Sequence, residues 1–193
     1  MIEPALLLQA YAAGWFPMGI EPDQGGGIEW FSPDPRGVLP LDDRFHVPTR
    51  LQRVLRQRRF EVRVDAGFAE VMRACAVRDE TWITPEILDS YQELHRLGFA
   101  HSVECRLAGE LVGGLYGVSL RGAFFGESMF HRAPDASKVA LCALVERLRE
   151  RRYDLLDVQW VTPHLAQFGA VEIPRRQYLR RLAHAMTLER SFA

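Results

Sequence analysis

Four side chains of this 193-residue chain stand where apolar strands would otherwise exclude them. Glu127 and Ser128 fall in Gly122-Ala-Phe-Phe-Gly-Glu-Ser-Met-Phe130, and Asp157 and Gln159 in Tyr153-Asp-Leu-Leu-Asp-Val-Gln-Trp160. Both stretches read as buried strands, rich in aromatic and aliphatic residues and bounded by turn signals. A carboxylate inside such a strand is costly unless it is paired or hydrogen-bonded. Either these acids sit at frayed strand ends in water, or they are held for a purpose. Strand side chains alternate faces, so Asp157 and Gln159 are expected to point the same way, and the two strands are expected to lie side by side.

The elements that would position them can be read in order. Residues 2–14 carry Leu6, Leu7, Ala10 and Tyr11 at helical spacing, and Gly14 ends the helix. Trp15, Phe16, Trp30 and Phe31 follow around proline-ordered turns and an acidic, glycine-rich loop from Glu21 to Gly27. Those four rings form either a small core or a platform for flat ligands. Residues 49–59 read as a basic helix capped by Thr49, with Leu51, Val54 and Leu55 as its apolar stripe. A domain boundary is expected near residue 59, giving a small N-terminal domain (1–59) and a larger domain (60–193). After it come a strand (60–65), helices at 68–77 and from Thr84-Pro85 to Gly98, and three strands, 99–107, 111–120 and 122–130. The turns at Ala108-Gly109-Glu110 and Arg121-Gly122 make those three antiparallel neighbours. A helix capped by Asp135, the strand 153–160, a short helix near His164–Phe168 and a last helix from Pro174 complete an α/β (α+β) layout with a mixed sheet. That layout resembles the acetyltransferase-like (GNAT) superfamily.

Composition excludes several classes. Met1 to Met18 lacks a basic n-region, so it does not read as a signal peptide, and no apolar run approaches membrane-spanning length. Three cysteines without a C-x-x-C read as reduced, packed thiols, and six histidines without H-x-x-H spacing give no metal site. Net charge is −1, yet seven arginines lie between Arg44 and Arg63 against one acid, Glu61. Arg175, Arg176, Arg180 and Arg181 form a second cluster, and Lys138 is the single lysine. Arg50, Arg53 and Arg56 share one side of their helix, which is either a solvated face or a surface tracking phosphates.

Nine strings, in order from residue 11 to 179, carry a specific resemblance. They are Gly14-x-Phe-Pro17, Trp30-x-Ser-Pro-Asp-Pro-Arg36, Thr81-Trp-Ile-Thr84, Ala100-His-Ser-Val-Glu104, Gly-x-x-Tyr-Gly (113–117), Phe-Gly-Glu-Ser-Met-Phe (125–130) with Asp135-Ala-Ser-Lys-Val139, Leu156-Asp157-x-Gln159, His164-Leu-Ala and Glu172-Ile-Pro-Arg-Arg176. The chain resembles the leucyl/phenylalanyl-tRNA–protein transferase family. The resemblance implies a cytoplasmic enzyme with a GNAT-like domain behind a small N-terminal domain, working without cofactor or metal. It implies transfer of leucine or phenylalanine, and methionine less well, from aminoacyl-tRNA to proteins beginning with arginine or lysine, which marks them for degradation. Where the family places an aromatic expected to stack on the terminal adenosine, this chain has Met18, and Trp15 or Trp82 is expected to serve instead.

Aminolysis of an activated ester asks mainly that an amine be held against a carbonyl. On that reading Gln159 orients the amine, Asp157 fixes the Gln159 amide and lowers the barrier to proton loss, and Glu127 binds the donor α-amino group. By resemblance the wall of the donor pocket includes Leu115, Phe124, Leu141 and Leu156. Ser128, Met129 and Trp82 are also expected on the substrate, and Trp15, Arg50, Arg53 and Arg56 on the tRNA. Two other classes fit parts of the sequence. An acetyl-CoA-dependent N-acetyltransferase would share the layout but normally shows a glycine-rich phosphate cradle where Arg132-Ala-Pro-Asp-Ala-Ser-Lys138 stands here. A non-enzymatic RNA-binding module would use the basic helix but has no need of Glu127, Asp157 and Gln159 on buried strands.

Overall fold

The computed structural model describes residues 1–20, 25–78 and 81–193; positions 21–24 of the expected acidic loop lie outside the described residues. In chain order the elements are α1 (Pro4–Ala12), β1 (Phe16–Gly19), β2 (Ile28–Phe31), β3 (Arg36–Leu39), α2 (Thr49–Gln57), β4 (Glu61–Val64), α3 (Phe68–Ala76) and α4 (Pro85–Arg96). There follow β5 (Ala100–Leu107), β6 (Glu110–Leu120), β7 (Ala123–His131), α5 (Ala136–Glu150), β8 (Leu155–Gln159), α6 (Pro163–Ala166), β9 (Val171–Ile173) and α7 (Arg175–Ala185). None of the described helices is long and apolar enough to cross a membrane.

A seven-stranded sheet in the order β4-β5-β6-β7-β8-β3-β9 organises the chain. The run β5-β6-β7 is antiparallel as expected, its first turn closed by Ala108 and Gly109 at φ 51° and 85°, the left-handed geometry that suits a two-residue hairpin. β8 lies parallel to β7, so the two polar-bearing strands are neighbours. A parallel pair needs a crossover, and α5 supplies it. The sheet is therefore mixed and flanked by helices, as the element order suggested.

Alternation along the strands sorts the side chains into two cores. Tyr116, Phe125 and Leu155 join α1, α3, α4 and α7 on one face. Leu115, Phe124 and Leu156 join α2 and α5 on the other, where Leu141, Leu144 and Val145 form the helical stripe. Cys75, Cys105 and Cys142 are free thiols, and burial pushes each up to about 12.

Four elements depart from the sequence reading. β1 and β2 form a separate two-stranded antiparallel sheet, and β3 and β9 join the large one. Strands of three or four residues, broken by Pro17, Gly19 and Gly37, are too short to display alternation. β3 lies before position 59 yet sits inside the large sheet, so a division there cuts a strand away from its partners. Helix caps also differ. Pro48 occupies the N-cap of α2 and Thr49 makes no capping bond, because the proline has already set the entry geometry. Asp135 is the N-cap of α5 but sits at φ 68° without a capping bond; its carboxylate takes Lys138 Nζ at 3.0 Å instead.

β7 and β8 pair over three positions, ending at Phe125 opposite Asp157. β7 then runs on to His131 while β8 stops at Gln159, which opens a notch between them. At the notch β7 carries one extra residue: Tyr116 faces Ser128 and Gly117 faces Gly126, leaving Glu127 as the bulge. A bulge re-aims the side chain it carries.

Gly37 sets how closely β3 approaches the end of β8. A Cβ there would lie 2.8 Å from the carbonyl carbon of Trp160, a backbone atom with no freedom to move aside. Gly37→Ala is therefore expected to destabilise the fold by about 1–3 kcal/mol, the range for overpacking. A urea midpoint within 0.5 M of the native protein would show that β3 and β8 can separate without cost.

Candidate active site

The notch is the mouth of a cavity of about 580 Å³, in the size range of small-ligand sites. Leu115, Met129, Leu141, Leu144, Leu156 and Val158 give it an apolar lining from β6, β7, α5 and β8. Glu127, Ser128, Gln159, Arg78, His131 and His164 add polar groups, and Phe16, Met18, Trp82, Tyr116 and Trp160 add rings and sulfur.

Asp157 lies just behind this cavity and is fully buried. Arg36 meets it in a two-pronged pair, Nε to Oδ1 at 2.9 Å and Nη2 to Oδ2 at 2.6 Å. The Tyr178 hydroxyl donates to Oδ2 at 2.7 Å, and the Gln159 backbone N–H donates to Oδ1 at 2.9 Å. Arg36 also donates to the Gly14 carbonyl at 3.0 Å and lies over the rings of Phe16 and Tyr178. Every strong acceptor direction of the carboxylate is thus filled, which is what a buried ion pair needs to persist. The expected Asp157–Gln159 contact exists, but it runs through the backbone of Gln159 and not its amide. The reason is local: Gln159 sits at φ 58°, where regular strand alternation ends, and Trp160 N–H closes a three-residue turn onto the Val158 carbonyl at 2.7 Å.

The Gln159 side chain reaches Glu127 instead, Nε2 to Oε1 at 3.5 Å. Glu127 is also held by the Tyr11 hydroxyl, which donates to Oε1 at 2.7 Å, and by the Tyr91 hydroxyl at 3.4 Å from Oε2. The two tyrosine hydroxyls are in contact with each other. Burial pushes the Glu127 carboxyl up from 4.5 to about 8; the Tyr11 hydrogen bond opposes this and the charge on Asp157 adds to it. Tyr116, on the same side, has a buried hydroxyl with no partner among the described residues.

Most of the expected site residues meet here. Glu127, Gln159, Ser128, Met129, Trp82, Leu115, Leu141 and Leu156 all line the cavity, and Asp157 backs it. Phe124 does not. It pairs with Ser119, whereas Leu115 pairs with Met129, so the two are not cross-strand neighbours. The Phe124 ring packs on Phe192 at 5.2 Å, within the core beneath α5. Trp15 is exposed but is not part of the cavity lining. Arg50, Arg53 and Arg56 are exposed on α2, with Leu51 turned inward. In the C-terminal cluster Arg175, Arg176 and Arg180 line a shallow groove beside Asp34, while Arg181 reaches the Asp154 carbonyl.

Sequence reasoning missed several groups. Arg36 lay inside a quoted string and Tyr11 on the stripe of the first helix, neither with a role at the site, and their partners are 121 and 116 residues away, beyond any local pattern. Arg78 donates to Ser128 Oγ at 2.9 Å. His164 has an Nε2 without a partner among the described residues; burial, then Lys138 and His131, lowers its pKa. No group of three or more His, Cys, Asp or Glu among the described residues is placed to hold a metal ion.

Comparison with known proteins agrees along the whole chain. The family model described as leucyl/phenylalanyl-tRNA protein transferase matches residues 38–183, and that of the N-terminal domain of the same transferase matches residues 1–34. A leucyl/phenylalanyl-tRNA–protein transferase of Herpetosiphon aurantiacus is 54% identical, covering 99% of this chain and 98% of that one. The protein of the same name from Gloeobacter violaceus is 56% identical over 99% and 97% of the two chains. That of Rubrobacter xylanophilus is 55% identical over 100% and 99%. Among solved structures, a conserved protein of unknown function from Staphylococcus epidermidis aligns over 90% of this chain and 65% of its own at 11% identity and a TM-score of 0.47, too distant to bear on either fold or function. On the family match and the identity over nearly the full length, this chain belongs to the leucyl/phenylalanyl-tRNA–protein transferase family.

Proposed function

We propose that the cavity transfers leucine or phenylalanine, and methionine less readily, from aminoacyl-tRNA to the N-terminal arginine or lysine of cytoplasmic proteins, marking them for degradation. The observation that carries this reading is the junction inside one cavity of an aliphatic pocket with Glu127 and Gln159. Leu115, Met129, Leu141, Leu144 and Leu156 offer a donor side chain a dry wall with no polar group to satisfy. A polar side chain placed there would lose its water without a partner, at about 1–3 kcal/mol or more. Leucine, phenylalanine and methionine share no other property that such a wall would select.

Glu127 stands where the donor's α-amino group would enter. A carboxyl with a pKa of about 8 and a free α-amino group near 8 titrate together. A protonated Glu127 meeting a neutral amine therefore yields the same ion pair as a carboxylate meeting an ammonium. Tyr11 and Tyr91 hold both oxygens of Glu127, which fixes the direction from which the amine is received.

In the transfer itself the acceptor amine attacks the ester carbonyl, a C–N bond forms, and the bond from that carbonyl to the ribose oxygen breaks. One proton leaves the amine, and one is taken by the departing alkoxide. With Nε2 of Gln159 committed to Glu127, its Oε1 is the atom left to accept a hydrogen bond from the attacking amine. Asp157 is a positioning residue: its oxygens are occupied by Arg36, Tyr178 and the Gln159 backbone, so it takes no part in moving the proton. The basic faces at Arg50, Arg53 and Arg56 suit the phosphates of the tRNA body.

The test is to incubate the protein with radiolabelled leucyl-tRNA or phenylalanyl-tRNA and a peptide beginning with arginine. Label is expected on the peptide without ATP or acetyl-CoA; absence of transfer from either tRNA overturns the reading. In the same assay Gln159→Ala is expected to lower kcat about a hundredfold while leaving tRNA affinity within threefold. Asp157→Asn should lower both kcat and stability, the latter by about 3–5 kcal/mol, because Arg36 is left as a buried unpaired charge. Equal stability of native and Asp157→Asn proteins would contradict the positioning role.

Selectivity gives a second measurement. Leu115→Phe narrows the donor wall and is expected to disfavour phenylalanine over leucine about tenfold. Phe124→Ala, away from the cavity, is expected to cost about 3–5 kcal/mol of stability and to leave the leucine-to-phenylalanine ratio within twofold. A ratio moved by Phe124→Ala and not by Leu115→Phe would place the pocket elsewhere.

A third measurement concerns pH. The folded-state pKa of Glu127 lies above its ordinary value of 4.5, so the folded state holds this proton more tightly than the unfolded chain. The stability contribution is full below pH 4.5 and is lost as pH rises to about 8. Relative to the native protein, Glu127→Gln should thus gain stability steadily between these two values and stay level above them. A difference in unfolding free energy that is flat over that range would show that Glu127 is ionised throughout.

A further inference from the structure

Trp160 directly follows Gln159 and lines the same cavity, yet 44% of it is exposed. The other aromatic residues of the lining differ: Phe16 and Tyr116 are buried, and Trp82 is half-buried against the core. A large indole left open at the mouth of a site is either a cost in solubility or a surface kept for a flat partner.

Its mounting is rigid. The ring of Phe16 meets the indole edge-to-face, with centroids 5.2 Å apart and planes at 86°. Phe31 meets it at 6.4 Å and 67° and itself stacks on Phe16 at 6.1 Å. Edge-on support of this kind leaves a face of the indole uncovered. The backbone beneath is fixed by the Val158–Trp160 turn and by the close approach of Gly37. Met18 is two positions from Phe16 on β1, hence on the same side of that strand, and it too lines the cavity. Trp160 and Met18 therefore line the same cavity.

An aminoacyl-tRNA presents its ester on the ribose of an unpaired terminal nucleotide, so a base must lie within one sugar of the reacting carbonyl. We infer that the indole of Trp160 is the platform on which that base stacks, standing next to Gln159. The inference rests on the proposed transfer reaction, because it needs a nucleotide at the cavity mouth. Base–aromatic stacking is lost about five- to hundredfold in affinity on truncation to alanine, and is tolerant of which aromatic ring is used.

The probes are 3′-deoxy-3′-(leucylamino)adenosine, whose amide resists hydrolysis, and leucinamide, which carries the same side chain and amine without a base. Both are titrated calorimetrically into the native protein, Trp160→Phe, Trp160→Leu and Trp160→Ala, each checked for a native-like melting temperature. Trp160→Leu keeps an apolar weight on Phe16 while removing the ring, so it decides the matter should the alanine variant not fold. Trp160→Leu is expected to bind the adenosine compound about tenfold more weakly and leucinamide within twofold of native. Trp160→Phe should retain adenosine binding within threefold. With leucyl-tRNA, Trp160→Leu should raise KM and leave kcat within threefold. Adenosine affinity unchanged in Trp160→Leu, or an equal loss for leucinamide, overturns the assignment, since the indole would then only brace the pocket. A native protein that transfers no amino acid but still needs Trp160 to bind the adenosine compound would overturn the proposed reaction and leave the platform standing.

Discussion

The buried pair of Arg36 and Asp157 is the constraint on which the remaining structure depends. Removing two charges from water costs several kcal/mol for each, and mutual attraction offsets this only when the geometry is good and the remaining lone pairs are filled. Here they are filled from four directions. Arg36 brings β3; Tyr178 brings α7; the carbonyl of Gly14 ties the end of α1; and the N–H of Gln159 fixes the end of β8. One ionic contact thereby joins the N-terminal segment to the last helix through the centre of the sheet. The same carboxylate holds the N–H of Gln159, whose backbone turns at φ 58° just before the indole.

Opening a site inside a closed sheet requires that hydrogen bonding stop somewhere. In this chain it stops between the two central parallel strands, after three paired positions, and the bulge at Glu127 turns a carboxyl into the gap. The two cores of the molecule then meet across the notch. Leucines beneath α5 supply the apolar end, while Tyr11, Tyr91 and Arg78 reach in from the opposite face. A cavity placed this way has rigid walls, because each wall is the side of a strand or a long helix.

Much of this was legible in the sequence. The two polar-bearing strands, the antiparallel run before them and the stripe of α5 are long, periodic signals, and period is what sequence reports best. Leu115, Leu141 and Leu156 were grouped in one wall by resemblance alone, and all three line the cavity. What was hidden belongs to short or distant features. β3 and β9 are too brief to show a period, the bulge shifts register by one residue without leaving a mark, and Arg36 finds Asp157 across 121 positions. Phe124, expected in the wall by resemblance, packs on Phe192 within the core and is not part of the cavity lining.

The insertion of β3 between β8 and β9 has a consequence for how the chain is made. Residues 36–39 leave the ribosome well before residues 155–159 and 171–173, the two strands they must join. Until then Arg36 has no counter-ion, and Phe16, Trp30 and Phe31 lack Trp160 and the core they cover. Contacts of such sequence separation carry a loop-closure cost and form late. The sheet from β4 to β7 has local partners and is able to assemble first, with α1 and β1 packed on α4 and β3 left without a partner strand. Completion of the notch thus waits for β8 and β9, near the end of the chain.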